Sequence, residues 1–331
     1  MLKKLNDLLI KASFLPPKRA AVVVAEDALA IDGAIKAYKS RLIIPLLIGN
    51  KNKITALLKK KHNKAAGKNE NGLNAVKHNK GGAIDIDMEI IDAENDSSSA
   101  YIAAKLALDK KVDMIIKGHI HTDVFMHQLI LKENGLRTNR YISHIFLMEI
   151  KTYKKLVSIT DAAINISPDI TQKAQILQNA IDLAAILGVK SPKAAILSAV
   201  ETVNPKISST LDAAIISKMA ERGQITGGIV DGPLAFDNVI SKNAAIEKGI
   251  KSKVSGNADI IVVPNIEAGN ILFKDLEYLA GAKVAGIVVG LKVPVVLTSR
   301  ADNVETRLNS TALASIVSEN YDKFLEYKAW I

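Results

Sequence analysis

The sequence contains no cysteine. That excludes disulfides, thiolate metal sites, iron–sulfur clusters and a cysteine nucleophile, and it fits a reducing compartment. Aromatic residues make up only 4% of the chain, so platforms for stacking nucleic-acid bases are scarce. No stretch approaches the ~18 uninterrupted apolar residues of a membrane span. The opening residues are charged, and the apolar run there is short and broken by Asp7 and Lys11. They read as an amphipathic first helix rather than a signal peptide, which makes the cytoplasm the expected location. The glycine fingerprint of a dinucleotide fold and a G-x-x-x-x-G-K-[ST] phosphate loop are both missing.

What is present is an ordinary globular composition: 331 residues, 48% apolar and 24% charged. That length favours two domains and buries enough surface to fold without covalent staples. The net charge is +10, and residues 59–82, with seven lysines and the single acid Glu70, carry +6 of it. A Lys/Asn/Gly-rich stretch of this kind cannot bury a core and reads as a solvated insertion. The basic balance therefore does not argue for a nucleic-acid or membrane partner.

Apolar, β-branched runs occur at 21–25, 43–48, 89–92, 113–117, 142–148, 194–199, 225–230, 260–263, 284–289 and 293–297. Helical patterns at 97–108, 170–187, 211–221 and 268–279 lie between them. Strands alternating with helices, and apolar on both faces, predict an α/β fold with mainly parallel sheets. Residues 158–165 read as a further short strand with polar residues aimed one way. Parallel sheets bind ligands beyond the carboxyl ends of their strands. That singles out Lys117-Gly118, Ser198 to Glu201, Asp231-Gly232-Pro233, Pro264-Asn265 and Thr298-Ser299-Arg300.

Four constellations have chemical content. His119 and His121 form a His-x-His pair that could ligate zinc or iron, with His127 and His144 as further donors. The plainer reading is a strand-to-helix turn capped by Thr122 or Asp123. Ser299-Arg300, followed by Asp302, Glu305 and Thr306, sets an arginine beside a helix start, a good receptor for an oxyanion or phosphate. A helix cap with a surface salt bridge would look the same. Arg137 and Arg140 precede one strand and could grip an anion or simply be surface charges. Asp231-Gly232-Pro233-Leu234 and Pro264-Asn265-Ile266-Glu267 read as turns leading from strand ends into helices.

Together these segments resemble the phosphate acetyl/butyryltransferase family. The resemblance rests on Ile159-Thr160-Asp161-Ala162-Ala163-Ile164-Asn165 and on Val230-Asp231-Gly232-Pro233-Leu234-Ala235-Phe236-Asp237. It rests equally on Ala258 through Val263-Pro264-Asn265-Ile266-Glu267-Ala268-Gly269-Asn270 and on Val293-Pro294-Val295-Val296-Leu297-Thr298-Ser299-Arg300. Lys117-Gly118 with Thr122, and Arg140 before Ser143, match weaker N-terminal motifs. The likeness spans nearly the whole chain except residues 59–82.

The resemblance implies two α/β domains with a cleft between them, similar to the isocitrate and isopropylmalate dehydrogenases. Mapped here, residues 1–152 plus 294–331 would form the first domain and 153–293 the second. It implies a homodimer, a place in acetate metabolism and the reaction acetyl-CoA + phosphate ⇌ acetyl phosphate + CoA. Coenzyme A is then a substrate, with no bound cofactor and no metal. Direct attack of the CoA thiolate in a ternary complex would need no protein nucleophile. By resemblance, Arg300 binds the phosphate and Ser299 hydrogen-bonds the reacting sulfur or carbonyl. Arg140, Lys117, Thr122, Asp161, Asn165, Asp231, Asn265 and Asn270 would contact substrates.

One departure concerns the base. The family's acetyltransferase branch carries an aspartate seven residues after the serine, where this chain has Thr306. Glu305 is adjacent and is the expected substitute; Asp302, Glu201 and Asp231 are alternatives, and the thiol could also ionise beside arginines. Ser299-Arg300-Ala301-Asp302 and Ile142-Ser143-His144 look more like the butyryltransferase-type branch, which leaves a short-chain acyl-CoA open as substrate. Two other readings stay in view: a non-catalytic acyl-CoA-sensing module, and a metal-dependent hydrolase or decarboxylating dehydrogenase built around His119 and His121.

Overall fold

The computed structural model describes residues 2–67, 88–299 and 302–326. Arg300 and most of the lysine-rich stretch lie outside the described residues. The strands are β1 (Lys18–Val23), β2 (Ile43–Gly49), β3 (Glu89–Asp92), β4 (Met114–Lys117), β5 (Ser143–Glu149) and β6 (Val157–Thr160). They continue as β7 (Lys193–Leu197), β8 (Ile229–Leu234), β9 (Ile260–Val262), β10 (Lys283–Val289) and β11 (Val295–Val296). The helices are α1 (Leu5–Ser13), α2 (Ala28–Lys39), α3 (Lys51–Gly67), α4 (Asp96–Leu108), α5 (Thr122–Ile130) and α6 (Ile170–Ile186). After them come α7 (Ser208–Glu221), α8 (Phe236–Ile240), α9 (Lys242–Glu247), α10 (Ile266–Tyr278), α11 (Val304–Glu319) and α12 (Tyr321–Leu325).

The strands join in one sheet of order β3-β2-β1-β4-β11-β10-β5-β6-β9-β7-β8. Its two flanks are parallel: β3, β2, β1, β4 and β11 on one side, β6, β9, β7 and β8 on the other. Between them β10 runs antiparallel to both β11 and β5, and β5 antiparallel to β6. The fold is thus α/β and mainly parallel, as the alternation of runs predicts.

Capping chemistry sets several helix starts. Asp169 accepts from the Gln172 amide, and the Gln172 side chain accepts from the Asp169 amide, closing a capping box on α6. Asn265 and Asn303 accept from the amides of Ala268 and Thr306 to start α10 and α11. Helix α11 is buried on all sides from Thr306 to Val317. Its many small hydroxyl residues answer that burial: Ser310 donates to the Thr306 carbonyl and accepts from the Gly286 amide of β10, and Ser315 donates to the Leu42 carbonyl.

Three sequence expectations change. The strand expected at 225–230 lies at Ile229–Leu234, so Asp231, Gly232 and Pro233 sit inside β8 rather than after it. Strand β8 is the sheet edge and its register with β7 shifts between Ala195 and Leu197, which accommodates a proline lacking an amide donor. Gly232 is required there, because a Cβ would sit 2.8 Å from the Ile196 carbonyl. The polar strand read at 158–165 ends at Thr160, and the chain then turns around Asp161. Helix α3 continues to Gly67, through residues expected to be loop; Lys and Ala are good helix formers that tolerate a solvated face.

Candidate active site

A cleft of about 480 Å³ opens beyond the carboxyl ends of β4 and β11. Strand β4 contributes Lys117, and the segment after it contributes Ile120, His121 and Thr122 at the start of α5. The segment after β11 contributes Leu297, Thr298, Ser299 and Asp302. Strand β5 supplies His144 and Phe146, and α10 supplies Asn270, Phe273 and Lys274. The parallel-sheet rule, with ligands gathered beyond strand carboxyl ends, holds for the β4 and β11 side.

Close backbone approach makes this geometry possible. The amides of Gly118 and His119 donate to the carbonyls of Val23 and Val24, both at 2.8 Å. A Cβ on Gly118 would stand 2.4 Å from each of those carbonyl oxygens, so only glycine fits. Lys117 is buried, and its Nζ lies 3.4 Å from the Thr298 carbonyl, tying the ends of β4 and β11 together.

Polar atoms without a protein partner gather here. Thr298 Oγ1, Asp302 Oδ1 and both ring nitrogens of His144 are buried and meet no hydrogen-bond partner among the described residues. Asp302 is 7% exposed, and its Oδ2 accepts from the Ser299 amide at 2.7 Å. Burial raises the Asp302 pKa; the Ser299 amide opposes that, Glu277 adds to it, and Lys274 and Arg307 oppose it. Burial also drives His144 down to about 3, only partly opposed by the Leu297 carbonyl, so its ring is neutral at physiological pH. Behind these groups stands an aromatic wall: His144 and Phe146 at 4.1 Å between centroids, Phe146 and Phe273 stacked at 3.7 Å.

Arg307, on α11, does not line the cleft but holds its rim. Its guanidinium donates to the carbonyls of Ser299 at 3.1 Å, Asp302 at 3.4 Å and Lys117 at 3.5 Å. Burial lowers its pKa, while Asp27 and Asp302 favour its charge.

Of the residues expected from the sequence, Lys117, Thr122, Asn270 and Ser299 line this cleft. Arg300 lies outside the described residues, and Glu305, Arg140, Asp161, Asn165, Asp231 and Asn265 do not line it. Glu305 is exposed on α11 and pairs with Lys283 at 2.8 Å. Arg140 is buried against Phe324 and donates to Asp182 at 2.7 Å and to Asn179 at 3.0 Å. Asp161 is 3% exposed and braces the turn after β6. Its carboxylate accepts from the amides of His144, Ala163 and Ile164 and from the Asn165 side chain, which also donates to the Ile142 carbonyl. Burial outweighs these donors and raises the Asp161 pKa. Asp231 accepts from the Gly232 amide within β8, and Asn265 caps α10.

The His-x-His pair divides. His121 lines the cleft, while His119 pairs with Asp27 at 2.8 Å. Among the described residues no group of three or more His, Asp or Glu is placed to hold a metal ion. Helix α5 begins at Thr122 with His121 in the capping position and no side-chain cap, so Thr122 and Asp123 fall in its first turn instead of capping it. Phe146, Phe273 and Lys274 went unnoticed in the sequence, because their positions read as core strand and amphipathic helix.

Comparison with known proteins gives a consistent picture. The family model described as phosphate acetyl/butaryl transferase matches residues 5–315. The chain is 47% identical over 319 residues to a phosphate acetyltransferase of Rickettsia prowazekii, covering 95% of this chain and 84% of that protein. It is 39% identical over 320 residues to a phosphate butyryltransferase of Clostridium acetobutylicum, covering 97% and 100%. A solved branched-chain phosphotransacylase from Enterococcus faecalis superposes with a TM-score of 0.73 at 27% identity, covering 90% of this chain and 99% of that one.

Proposed function

The chain belongs to the phosphate acetyl/butyryltransferase family, and from that premise we propose that it interconverts acetyl-CoA and phosphate with acetyl phosphate and CoA. It is an acyltransferase. The observation that supports the reaction best is the cleft, which Ser299 lines together with Lys117 and Thr122 of the first turn of α5. A cationic side chain beside a helix N-terminus suits a phosphate, and a hydroxyl suits the reacting carbonyl or sulfur. Arg300, outside the described residues, is assigned to phosphate from its motif. The CoA thiolate attacks the acyl carbon, the carbonyl oxygen becomes an oxyanion, and phosphate leaves. Fixed donors around that oxyanion and the leaving group supply the main catalytic effect, and one cleft holding both substrates supplies proximity.

Acetyl is the proposed acyl group, in keeping with the relatives named phosphate acetyltransferase at 46–47% identity. A homodimer, a division into domains at 1–152 plus 294–331 and 153–293, a role in acetate metabolism and a cytoplasmic location complete the reading. No helix among the described residues is long and apolar enough to cross a membrane. The test is thioester formation from CoA with acetyl phosphate and, in parallel, butyryl phosphate. Turnover that favours acetyl phosphate and disappears in Arg300→Ala supports the proposal. CoA binding without turnover on either substrate returns the chain to a sensing role, and preference for butyryl phosphate moves it to the butyryltransferase side.

A further inference from the structure

We propose that Asp302 is the base that takes the thiol proton of CoA, in place of the carboxylate that the family's acetyltransferase branch carries at the position of Thr306. The inference rests on the acyl-transfer reading above. Asp302 is the one carboxylate lining the cleft among the described residues. One of its oxygens is fixed by the Ser299 amide at 2.7 Å, while the other is buried and meets no hydrogen-bond partner among the described residues. A held carboxylate with one unsatisfied oxygen beside the reacting serine is what a proton acceptor requires. The competing carboxylates are engaged away from the cleft. Glu305 pairs with Lys283, Glu201 accepts from Asn238 and lies 3.4 Å from Lys248, and Asp231 accepts from the Gly232 amide. Thr306 spends its backbone amide on the Asn303 cap and has no group that accepts a proton near neutral pH.

The proton balance closes. Asp302 takes the proton from the CoA sulfur, and the thiolate forms a bond to the acyl carbon of acetyl phosphate. The bond from that carbon to the bridging oxygen breaks, and its electron pair leaves on phosphate. The proton passes from Asp302 to the departing phosphate, giving acetyl-CoA and hydrogen phosphate. The charged groups facing Asp302 are Lys274 and Glu277 from α10, joined to each other at 3.0 Å, and Arg307 from α11; Lys117 and His121 share the cleft. Burial and Glu277 favour the acid, while the Ser299 amide, Lys274 and Arg307 favour the carboxylate, and the net direction is upward.

The test measures acetyl-CoA formation from acetyl phosphate and CoA across pH 5.5 to 9.5 in Asp302→Asn. The amide is isosteric and its oxygen can still accept from the Ser299 amide. Turnover in Asp302→Asn is expected to fall by about 10²–10⁴-fold at pH 7, with the Kd for CoA little changed. Its rate should then climb about tenfold per pH unit toward the ionisation of the free thiol near pH 8.5, where the parent enzyme is flat. Turnover within about threefold of the parent, or a loss that keeps the parent's pH profile, overturns the assignment and leaves Asp302 a support for Ser299. If Asp302→Asn does not fold, Asp302→Glu decides: the acidic limb must move to a new pH, and an unmoved limb overturns the proposal. Absence of turnover in the parent enzyme on either acyl phosphate is a different result, and it removes the acyl-transfer reading itself.

Discussion

The guanidinium of Arg307 donates to the carbonyl of Ser299 at 3.1 Å. Through its bonds to Lys117 and Asp302 as well, it fastens the end of β4, the segment after β11 and the start of α11 to one another. Arg307→Ala removes those bonds and leaves three carbonyls in the rim without their donor. Unfolding free energy is expected to drop by about 2–4 kcal/mol, and kcat is expected to fall more than KM rises, because Ser299 loses its position. Arg307→Lys keeps the charge but loses the planar fork, so it should recover stability more than turnover. Denaturation and steady-state kinetics on both variants check this.

Phe146 and Phe273 line the cleft, and the acyl-transfer reading puts the acyl group against them. Phe273 stacks on Phe146 at an interplanar angle of 6°. Phe273→Leu opens volume next to the site with a smaller core penalty than truncation to alanine. Two further buried methylenes are worth about 1.6 kcal/mol at ~0.8 each, so the ratio of butyryl to acetyl kcat/KM should rise by roughly tenfold. An unchanged ratio would mean that the acyl chain does not meet this wall.

His144 links pH to stability. Its folded pKa of about 3 lies below the ordinary value of 6.5, so the unfolded chain binds its proton first as pH falls. The stabilisation is complete above pH 6.5 and is lost as pH falls toward about 3. At 1.36 kcal/mol per unit, the full span is on the order of 5 kcal/mol. His144→Gln should flatten that part of the curve of stability against pH. Asp161, Asp182 and Asp302 act the other way: their raised folded pKa values mean that stability declines as pH rises through the carboxylate range. Urea titrations from pH 3.5 to 7.5 separate the two trends.

Arg140 is tied to Asp182 at 2.7 Å inside the protein. Removing one partner of a buried pair strands the other charge, so Asp182→Asn and Arg140→Ala should each cost about 3–5 kcal/mol. In whatever fraction of Asp182→Asn remains folded, the KM for acetyl phosphate should match the parent. A KM that rises with unchanged stability would instead place Arg140 at the substrate.

Much of the frame could be read from the sequence, since largely apolar runs such as Ile43–Gly49 and Ser143–Glu149 between turn residues have few alternatives. Helix α6 was equally plain from the helical pattern at 170–187. Strand β8 was misplaced because Gly-Pro normally ends a run, and only the sheet edge explains why it does not here. At the site, Ser299 and Lys117 were legible because each follows a strand that ends at a ligand edge. Glu305 and Asp302 were not separable by spacing: both lie within a turn of the α11 start, and only the fold shows that one turns to Lys283 and the other to the cleft. Nothing local in the sequence singles out Arg307, since nothing marks α11 as surrounded by protein.

That surrounded helix has a consequence for how the chain is made. Strand β11 and helix α11 come late in the order of synthesis, yet α11 packs on α1, α2 and β10, and β11 pairs with β4. While the ribosome is still translating the middle of the message, β1 to β4 form a half-built layer whose central seat is vacant. The N-terminal half is therefore expected to wait, for about 10–40 seconds at typical elongation rates, until residues 295–319 are made. A truncation before residue 295 should yield a chain that depends on chaperones rather than a smaller folded protein.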